Sequence, residues 1–261
     1  MSSEKLSISD LRAKGYPIEK KQYDDQHFGH GIRRTVDTEI ALRLAFIFLK
    51  FGATANQVTG LSILLSLLSC GLFITGKVGL ILLAAIGFYA VDLLDSVDGI
   101  IARYSGTASR YGKYIDDLSG TLSTVLLFTS IGIGLYISGG DLFSRYCFDN
   151  FPYVAFIFAP NLFLFLGPFE SLMGLLRTFI SLRYLQIMEG DNEEILNSVM
   201  TQGRSKTVFS VAVAFFMWKI PLVVLCALFN VLSIVLYFYA AVASLFVIYT
   251  ILISLLSSNH S

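Results

Sequence analysis

The sequence predicts an all-α membrane protein with six transmembrane helices preceded by an interfacial amphipathic helix. Composition predicts the class: 55% of the 261 residues are hydrophobic and only 15% are charged, whereas soluble domains carry about 25% charged residues. The mean hydropathy of +0.69 agrees. The lengths of the apolar runs predict the number of helices, because one span needs about 20 mostly apolar residues.

The N-terminal part precedes any apolar run of spanning length. Residues 1–36 are polar, mixed in charge and too poor in apolar surface to form a core of their own, so we expect a cytosolic extension. Residues 37–51 are apolar but interrupted by Arg43 and Lys50. This segment is too short to span and is suited to lie in the membrane interface. Gly52 is expected to end its helix.

The remaining chain alternates long apolar segments with short polar ones. Together with the interfacial helix it makes a membrane domain over residues 37–256, followed by a polar tail at 257–261. Pro160 and Pro168 predict that the fourth span is kinked, tilted or broken. The six spans are predicted at residues 56–76, 79–98, 114–138, 152–182, 207–228 and 230–256.

The distribution of basic residues predicts the orientation, because Lys and Arg collect on the cytoplasmic side of short loops. With the N-terminus in the cytoplasm, sixteen of the 19 Lys and Arg residues lie on or near that side. Asp and Glu also number 19, so no bulk positive charge favours a nucleic acid as partner. The absence of GxGxxG and GxxxxGK[ST] motifs leaves soluble nucleotide-binding folds without support.

Several aspartates adjoin the predicted second and third spans. Residues 95–116 read DSVDGIIARYSGTASRYGKYID. An aspartate at the centre of a membrane helix costs roughly 2.5 to 3.5 kcal/mol on insertion scales, so something cationic or aqueous must offset this cost. Asp95 and Asp98 are three residues apart and therefore share one helix face. That face could hold a metal ion, at the cytoplasmic end of the spans.

This segment resembles the signature of the CDP-alcohol phosphotransferase family, D-x2-D-G-x2-A-R-x8-G-x3-D-x3-D. Residues 54–60, TANQVTG, are also similar to the T-P-N-x-[IV]-T opening of the family's first span, with Ala55 in place of proline. Six spans after an interfacial helix match the family architecture. Seven of the eight signature positions match, namely Asp95, Asp98, Gly99, Ala102, Arg103, Gly112 and Asp116.

The resemblance implies a transferase of phospholipid or polar-lipid biosynthesis. It would move a substituted phosphoryl group from a CDP-linked donor, CDP-diacylglycerol or a CDP-alcohol, to an acceptor hydroxyl and release CMP. It would use Mg²⁺ or Mn²⁺, with two ions possible, and form a homodimer in the lipid bilayer. The implied metal ligands are Asp95, Asp98 and Asp116, of which Asp116 is also a catalytic candidate. The implied nucleotide-binding residues are Asn56, Thr59, Gly99, Ala102, Arg103 and Gly112.

Two expectations accompany these roles. Gly99 and Gly112 are expected to permit a tight turn and a close approach of the nucleotide, and Arg103 offers a planar fork for phosphate oxygens. A second cationic set near the same membrane surface suits an anionic acceptor or a lipid headgroup, although ordinary positive-inside charge also explains it. This set comprises Arg177, Arg183, Arg204 and Lys206, and ordinary positive-inside charge is the favoured of its two explanations.

The eighth signature position holds Gly120 instead of aspartate. In the family that aspartate completes the metal cluster and is the proposed base for the acceptor hydroxyl. Asp92, three residues before Asp95, is a candidate to replace it; Asp117 is another, although one residue along a helix turns a side chain by about 100°. Three functions stay open: an active transferase, a family member that binds metal, nucleotide or a partner without turnover, and an ion-coupled transporter.

Overall fold

A computed structural model describes residues 7–17, 32–153, 155–188 and 218–257, and all regular structure within these ranges is helical. A short 3-10 turn covers Ala155–Phe158, and the other elements are α-helices. The helices are α1 (Ile8–Gly15), α2 (Ile32–Lys50), α3 (Ala55–Ile74), α4 (Val78–Tyr104), α5 (Arg110–Ser138), α6 (Leu142–Asn150), α7 (Pro160–Met188), α8 (Lys219–Leu228) and α9 (Leu232–Ser257).

Three of these helices are long and apolar enough to cross a membrane: α3, α4 and the Tyr114–Ser138 part of α5. Shorter apolar stretches cover Pro160–Leu176, Lys219–Leu228 and Leu232–Ile248. Most of the predicted fifth span, 207–228, lies outside the described residues. The number of six spans and the interfacial placement of α2 therefore stay predictions.

The helix boundaries agree with the sequence analysis for the first spans and differ in the middle of the chain. Gly52 has a φ of 73° just after α2, which confirms the expected helix end. The predicted fourth span, 152–182, starts too early, because the 3-10 turn lies at its start and α7 begins only at Pro160. Proline suits the first position of a helix, because the backbone N–H that it lacks would have no hydrogen-bond partner within the helix there. The helix is also not broken, since it continues through Pro168.

The chain divides into two compact units. The first comprises Met1–Leu67 and Gly87–Gly120, and therefore contains the whole aspartate segment. Its core draws residues from α1, α2, α3 and α4, and α2 contributes a stripe at helical spacing. The buried core residues are Leu11, Ala41, Leu42, Ala45, Val58, Leu94, Val97, Ile100 and Ile101.

An N-terminal helix takes part in this first core. Leu11 of α1 is 0% exposed, although residues 1–36 as a whole are polar. The polar composition of residues 1–36 predicts one extension and gives no sign of this docked helix. The predicted start of the next helix is Asp37, whereas α2 begins at Ile32.

The second unit comprises Leu68–Ile86 and Thr121–Ser261, and glycines bring two of its helices into backbone contact. A Cβ atom added to Gly132 of α5 would lie 2.5 Å from the Phe163 carbonyl oxygen and 2.9 Å from the Gly167 Cα atom, both of α7. Small residues permit such approaches between membrane helices. Gly132 therefore serves packing within the chain.

Replacing Gly132 with leucine should destabilise the protein by at least about 1 to 3 kcal/mol, the usual cost of overpacking, because backbone atoms rather than flexible side chains occupy the space. The measurement is thermal unfolding of the purified variant in detergent. Gly71→Leu on α3 is the matched control, since a Cβ there meets no heavy atom within 4 Å. Equal unfolding temperatures for the two variants would contradict the close α5–α7 packing.

A buried aspartate of the second unit has a structural role. Asp141 caps α6 by accepting a hydrogen bond from the Ser144 N–H at 3.0 Å. It also accepts bonds from the backbone N–H of Ser233 at 2.6 Å and from the Ser233 hydroxyl at 2.8 Å. These bonds join the start of α9 to the start of α6, and they satisfy a carboxylate that would otherwise be costly to bury.

Candidate active site

A short turn joins the two helices that carry the aspartate segment. α4 ends at Tyr104 and is followed by Gly106, whose φ is 66°. The N–H of Thr107 donates to the Ala102 carbonyl at 2.9 Å, which is the pattern of a helix end closed by a left-handed glycine. The hydroxyl of Ser109 then accepts a bond from the Gly112 N–H at 3.0 Å and caps α5.

The turn glycine is therefore Gly106, and the prediction of a turn at Gly99 is wrong. The α4 helix continues through Gly99 for more than one further turn. Gly112 lies within the first turn of α5, and neither residue has a positive φ. Because Gly99 has no side chain, the guanidinium group of Arg103 can lie close to it. The Arg103 Nη1 atom is only 3.3 Å from the position that a Cβ atom at Gly99 would take.

Asp98 is held in place by a threonine from the preceding helix. Its side chain is 5% exposed, and its Oδ2 atom accepts a hydrogen bond from the Thr59 hydroxyl at 2.5 Å. The same hydroxyl oxygen lies 3.1 Å from the Ala55 carbonyl oxygen. The hydroxyl of Thr59 thus binds a predicted metal ligand, and the predicted approach of Thr59 to the nucleotide stays a prediction.

The other aspartates converge on Asp95. Its side chain is hydrogen-bonded to that of Asp116 on α5 and lies within electrostatic range of Asp98 and Asp92. Two carboxyl groups in hydrogen-bond contact need a proton or a cation between them, because two adjacent negative charges repel. Asp116, Asp98 and Asp92 thus all lie within electrostatic range of Asp95.

These side chains do not form a ready-made metal cage. Among the residues that the structure describes, no group of three or more His, Cys, Asp and Glu side chains is arranged to hold a metal ion. The chemistry of the donor set still fits Mg²⁺, since the groups that interact with Asp95 in the described part of the chain are all carboxylates. Mg²⁺ is commonly bound by one or two carboxylates together with substrate phosphates and water. A partial set is therefore compatible with metal bound jointly with a substrate.

A guanidinium group lies beside the carboxylates. The Nε–H of Arg103 donates to the Gly15 carbonyl oxygen at 2.6 Å, and the Nη atoms lie over Gly99. Arg103 also interacts electrostatically with Asp98. The site thus presents an acidic group of side chains next to a planar cation, a combination suited to a metal-bound phosphate ester.

Comparison with known proteins decides the family. The family model for CDP-alcohol phosphatidyltransferases matches residues 53–256. The chain belongs to this family. No curated protein sequence matches the chain. The family match confirms the resemblance carried by residues 95–116, and with the apolar helices it makes this CDP-alcohol phosphatidyltransferase homologue an integral membrane protein.

For the other predicted site residues of this CDP-alcohol phosphatidyltransferase homologue, the structure gives at most the position and the exposure. Asn56 is exposed at the start of α3, and Ala102 is half-buried one turn after Asp98. The side chains of Asp117, Arg177 and Arg183 lie outside the described part of the structure, as do the residues Arg204 and Lys206. Their predicted roles stay predictions.

Gly120, where the CDP-alcohol phosphatidyltransferase signature has its last aspartate, lies one turn after Asp116 on α5. Residues four apart share a helix face, so a side chain here would lie above that of Asp116. An added Cβ would meet no heavy atom of the described residues within 4 Å. Space for an aspartate side chain is thus present although the side chain itself is missing.

Proposed function

We propose that this protein is a membrane phosphotransferase that moves a substituted phosphoryl group from a CDP-linked donor to an acceptor hydroxyl and releases CMP. The donor is CDP-diacylglycerol or a CDP-alcohol, and the product is a phospholipid or a related polar lipid. One observation carries the proposal: the signature aspartates Asp95, Asp98 and Asp116 converge from two helices beside Arg103. Family membership supplies the reaction class.

The chain's own groups can serve each requirement of this reaction. The acceptor oxygen attacks the phosphorus that bears the donor alcohol, the bond from that phosphorus to the CMP oxygen breaks, and the hydroxyl proton passes to a base. Asp95, Asp98 and Asp116 would hold Mg²⁺ or Mn²⁺, one ion or two, and bound metal would shield the pyrophosphate charge and stabilise the departing CMP. Arg103 would bind phosphate oxygens with its fork.

The proton acceptor is the part of this arrangement in which the chain departs from the family signature, because Gly120 carries no carboxylate. We assign the task to Asp116 or to a neighbouring carboxylate. Asp92 is favoured over Asp117 because Asp92 is exposed and lies within electrostatic range of Asp95. One turn of helix separates Asp92 from Asp95, so a hydroxyl seated between them is within reach of either.

Charge and hydropathy support the wider setting of the proposal. Six spans preceded by an interfacial α2 would place the N-terminus and the aspartate segment at the cytoplasmic face, where CDP-linked compounds and Mg²⁺ are available. Arg177, Arg183, Arg204 and Lys206 would lie near the same face and attract an anionic acceptor or lipid headgroup. A homodimer is part of the proposal because the family resemblance implies one.

The direct test is CMP release by the purified full-length protein in mixed detergent and phospholipid micelles. We expect release from labelled CDP-diacylglycerol, CDP-choline or CDP-ethanolamine only when a suitable acceptor is present, with one lipid product formed per CMP. Chelation with EDTA should abolish release, and Mg²⁺ or Mn²⁺ should restore it, because the carboxylates alone repel the pyrophosphate.

Gly120 motivates a second candidate function, a family member that binds metal and nucleotide without turnover. It predicts that no donor and acceptor pair yields CMP while calorimetry still detects metal-dependent binding of a cytidine nucleotide. A folded protein that neither releases CMP nor binds such a nucleotide would contradict both functions.

A further inference from the structure

The N-terminal helix α1 packs directly on the part of α4 that carries the signature. Leu11 is fully buried in the core of the first unit. A Cβ atom added to Gly15 would lie 2.7 Å from Ile100 Cγ2 and 3.1 Å from the Ile100 carbonyl oxygen. Ile100 is two residues after Asp98. The last turn of α1 therefore lies against the signature helix with no room for a side chain.

Two polar contacts orient α1 on this surface. Arg12 forms an ion pair with Glu39 of α2 at 2.7 Å, and the Lys14 Nζ atom lies 5.9 Å from the centre of the Tyr104 ring at the end of α4. Exposed ion pairs and cation–π contacts each contribute little to stability. Here they set the orientation of α1, because one contact joins it to α2 and the other joins it to α4.

The end of α1 contacts the signature arginine itself. Gly15 is the last residue of the helix, so its carbonyl has no partner within α1 and carries part of the negative end of the helix dipole. It accepts the Arg103 Nε–H at 2.6 Å. This bond fixes the plane of the guanidinium, with the Nη atoms over Gly99 and the cation near Asp98.

We propose that α1 is a positioning element for the donor: the Gly15 carbonyl holds Arg103 in the orientation in which its Nη atoms meet the donor phosphates. The inference rests on the proposed function. It concerns a segment outside residues 53–256, to which the family match does not extend. A long side chain that is already ordered loses less rotamer freedom when the donor binds. The saving corresponds to an affinity for the donor that is about 3- to 10-fold higher.

The test separates positioning from a merely structural role. Gly15→Val should push α1 away from Ile100 and raise the KM for the CDP-linked donor by about 3- to 10-fold, with kcat changed less than about 2-fold. In an Arg103→Lys background, which lacks the Nε–H donor, the same substitution should change KM by less than about 2-fold. Gly71→Val, at an open position on α3, is the matched control.

A second variant reaches α1 by another route. Leu11→Ala loosens the packing of α1 through its core contact without altering Gly15, and we expect the same rise in donor KM. The unfolding temperature of the variant is measured alongside, to confirm that it is folded at the assay temperature. An unchanged KM in either folded variant would overturn the inference. So would a Gly15→Val effect that is undiminished in the Arg103→Lys background, because α1 would then act without Arg103.

Failure of the proposed function can be recognised separately. If the parent protein releases no CMP from any donor, the proposed transfer reaction is wrong, and calorimetric titration with CMP and Mg²⁺ replaces the kinetic assay. The positioning role then predicts about 3- to 10-fold weaker CMP binding in Gly15→Val than in the parent. Equal binding, or no binding by the parent, would overturn it.

Discussion

Replacing Asp98 with asparagine should reduce metal-dependent CMP release by at least about 10³-fold, a loss of about 4 kcal/mol of transition-state stabilisation. Asp98 is 5% exposed, and its Oδ2 atom accepts the Thr59 hydroxyl bond. Asparagine has the same shape and keeps an acceptor for Thr59, so only the negative charge is lost. Steady-state CMP release at saturating Mg²⁺ measures the effect.

Stability measurements connect this loss to metal binding. Without metal, Asp98→Asn removes one of several mutually repelling carboxylates, so its unfolding temperature in EDTA should equal or exceed that of the parent. A metal that binds only the folded state stabilises it in proportion to its affinity. The stabilisation by Mg²⁺ and a cytidine nucleotide, measured as the shift in unfolding temperature, should therefore be smaller in the variant than in the parent.

Asp149→Asn is the matched control, because Asp149 is an exposed carboxylate on α6 in the second unit. It should leave CMP release and the metal-induced shift unchanged. Full metal-dependent release by Asp98→Asn would contradict the assignment of Asp98 as a metal ligand, and with it the central part of the proposed mechanism.

Hydropathy alone locates α3, α4 and the apolar part of α5, because an apolar segment of about 20 residues between polar ones is typical of a membrane-spanning helix. It misplaces the start of α7 because residues 152–159 are as apolar as a span. A window of hydropathy cannot distinguish a turn from a helix when both are apolar. The position of Pro160 was the better indicator, since proline is favoured at the first position of a helix.

The aspartates could be assigned to one site from local spacing, but the contacts that hold them could not. Asp98 and Thr59 are 39 positions apart, so their hydrogen bond depends on the register between α3 and α4, which no local pattern specifies. The same holds for Arg103 and Gly15, whose separation is 88 positions. A mostly polar helix with one buried leucine resembles any solvated segment until its partner surface is known.

The glycine at position 120 is the one departure from the signature, and restoring the aspartate should raise turnover by about 10²-fold or more. A positioned general base typically contributes about 10²- to 10⁴-fold. Gly120 lies one turn after Asp116, and an added Cβ there meets no heavy atom within 4 Å in the part of the chain that the structure describes. The new carboxylate can therefore join the existing ones without displacing packed atoms. The readout is kcat for CMP release at saturating donor, acceptor and Mg²⁺.

Two further substitutions distinguish the effect of the carboxylate charge from the effects of helix propensity and side-chain volume. Gly120→Ala should stabilise α5 by about 1 kcal/mol through helix propensity alone, and Gly120→Asn adds the volume of aspartate without its charge. Neither should raise kcat, because neither supplies a base. A loss of activity in Gly120→Asp that Gly120→Asn does not share would mean that another group already accepts the hydroxyl proton and is disturbed by the added charge. Asp92→Asn in the parent then tests whether Asp92 is that group, because the substitution should abolish turnover if Asp92 accepts the hydroxyl proton.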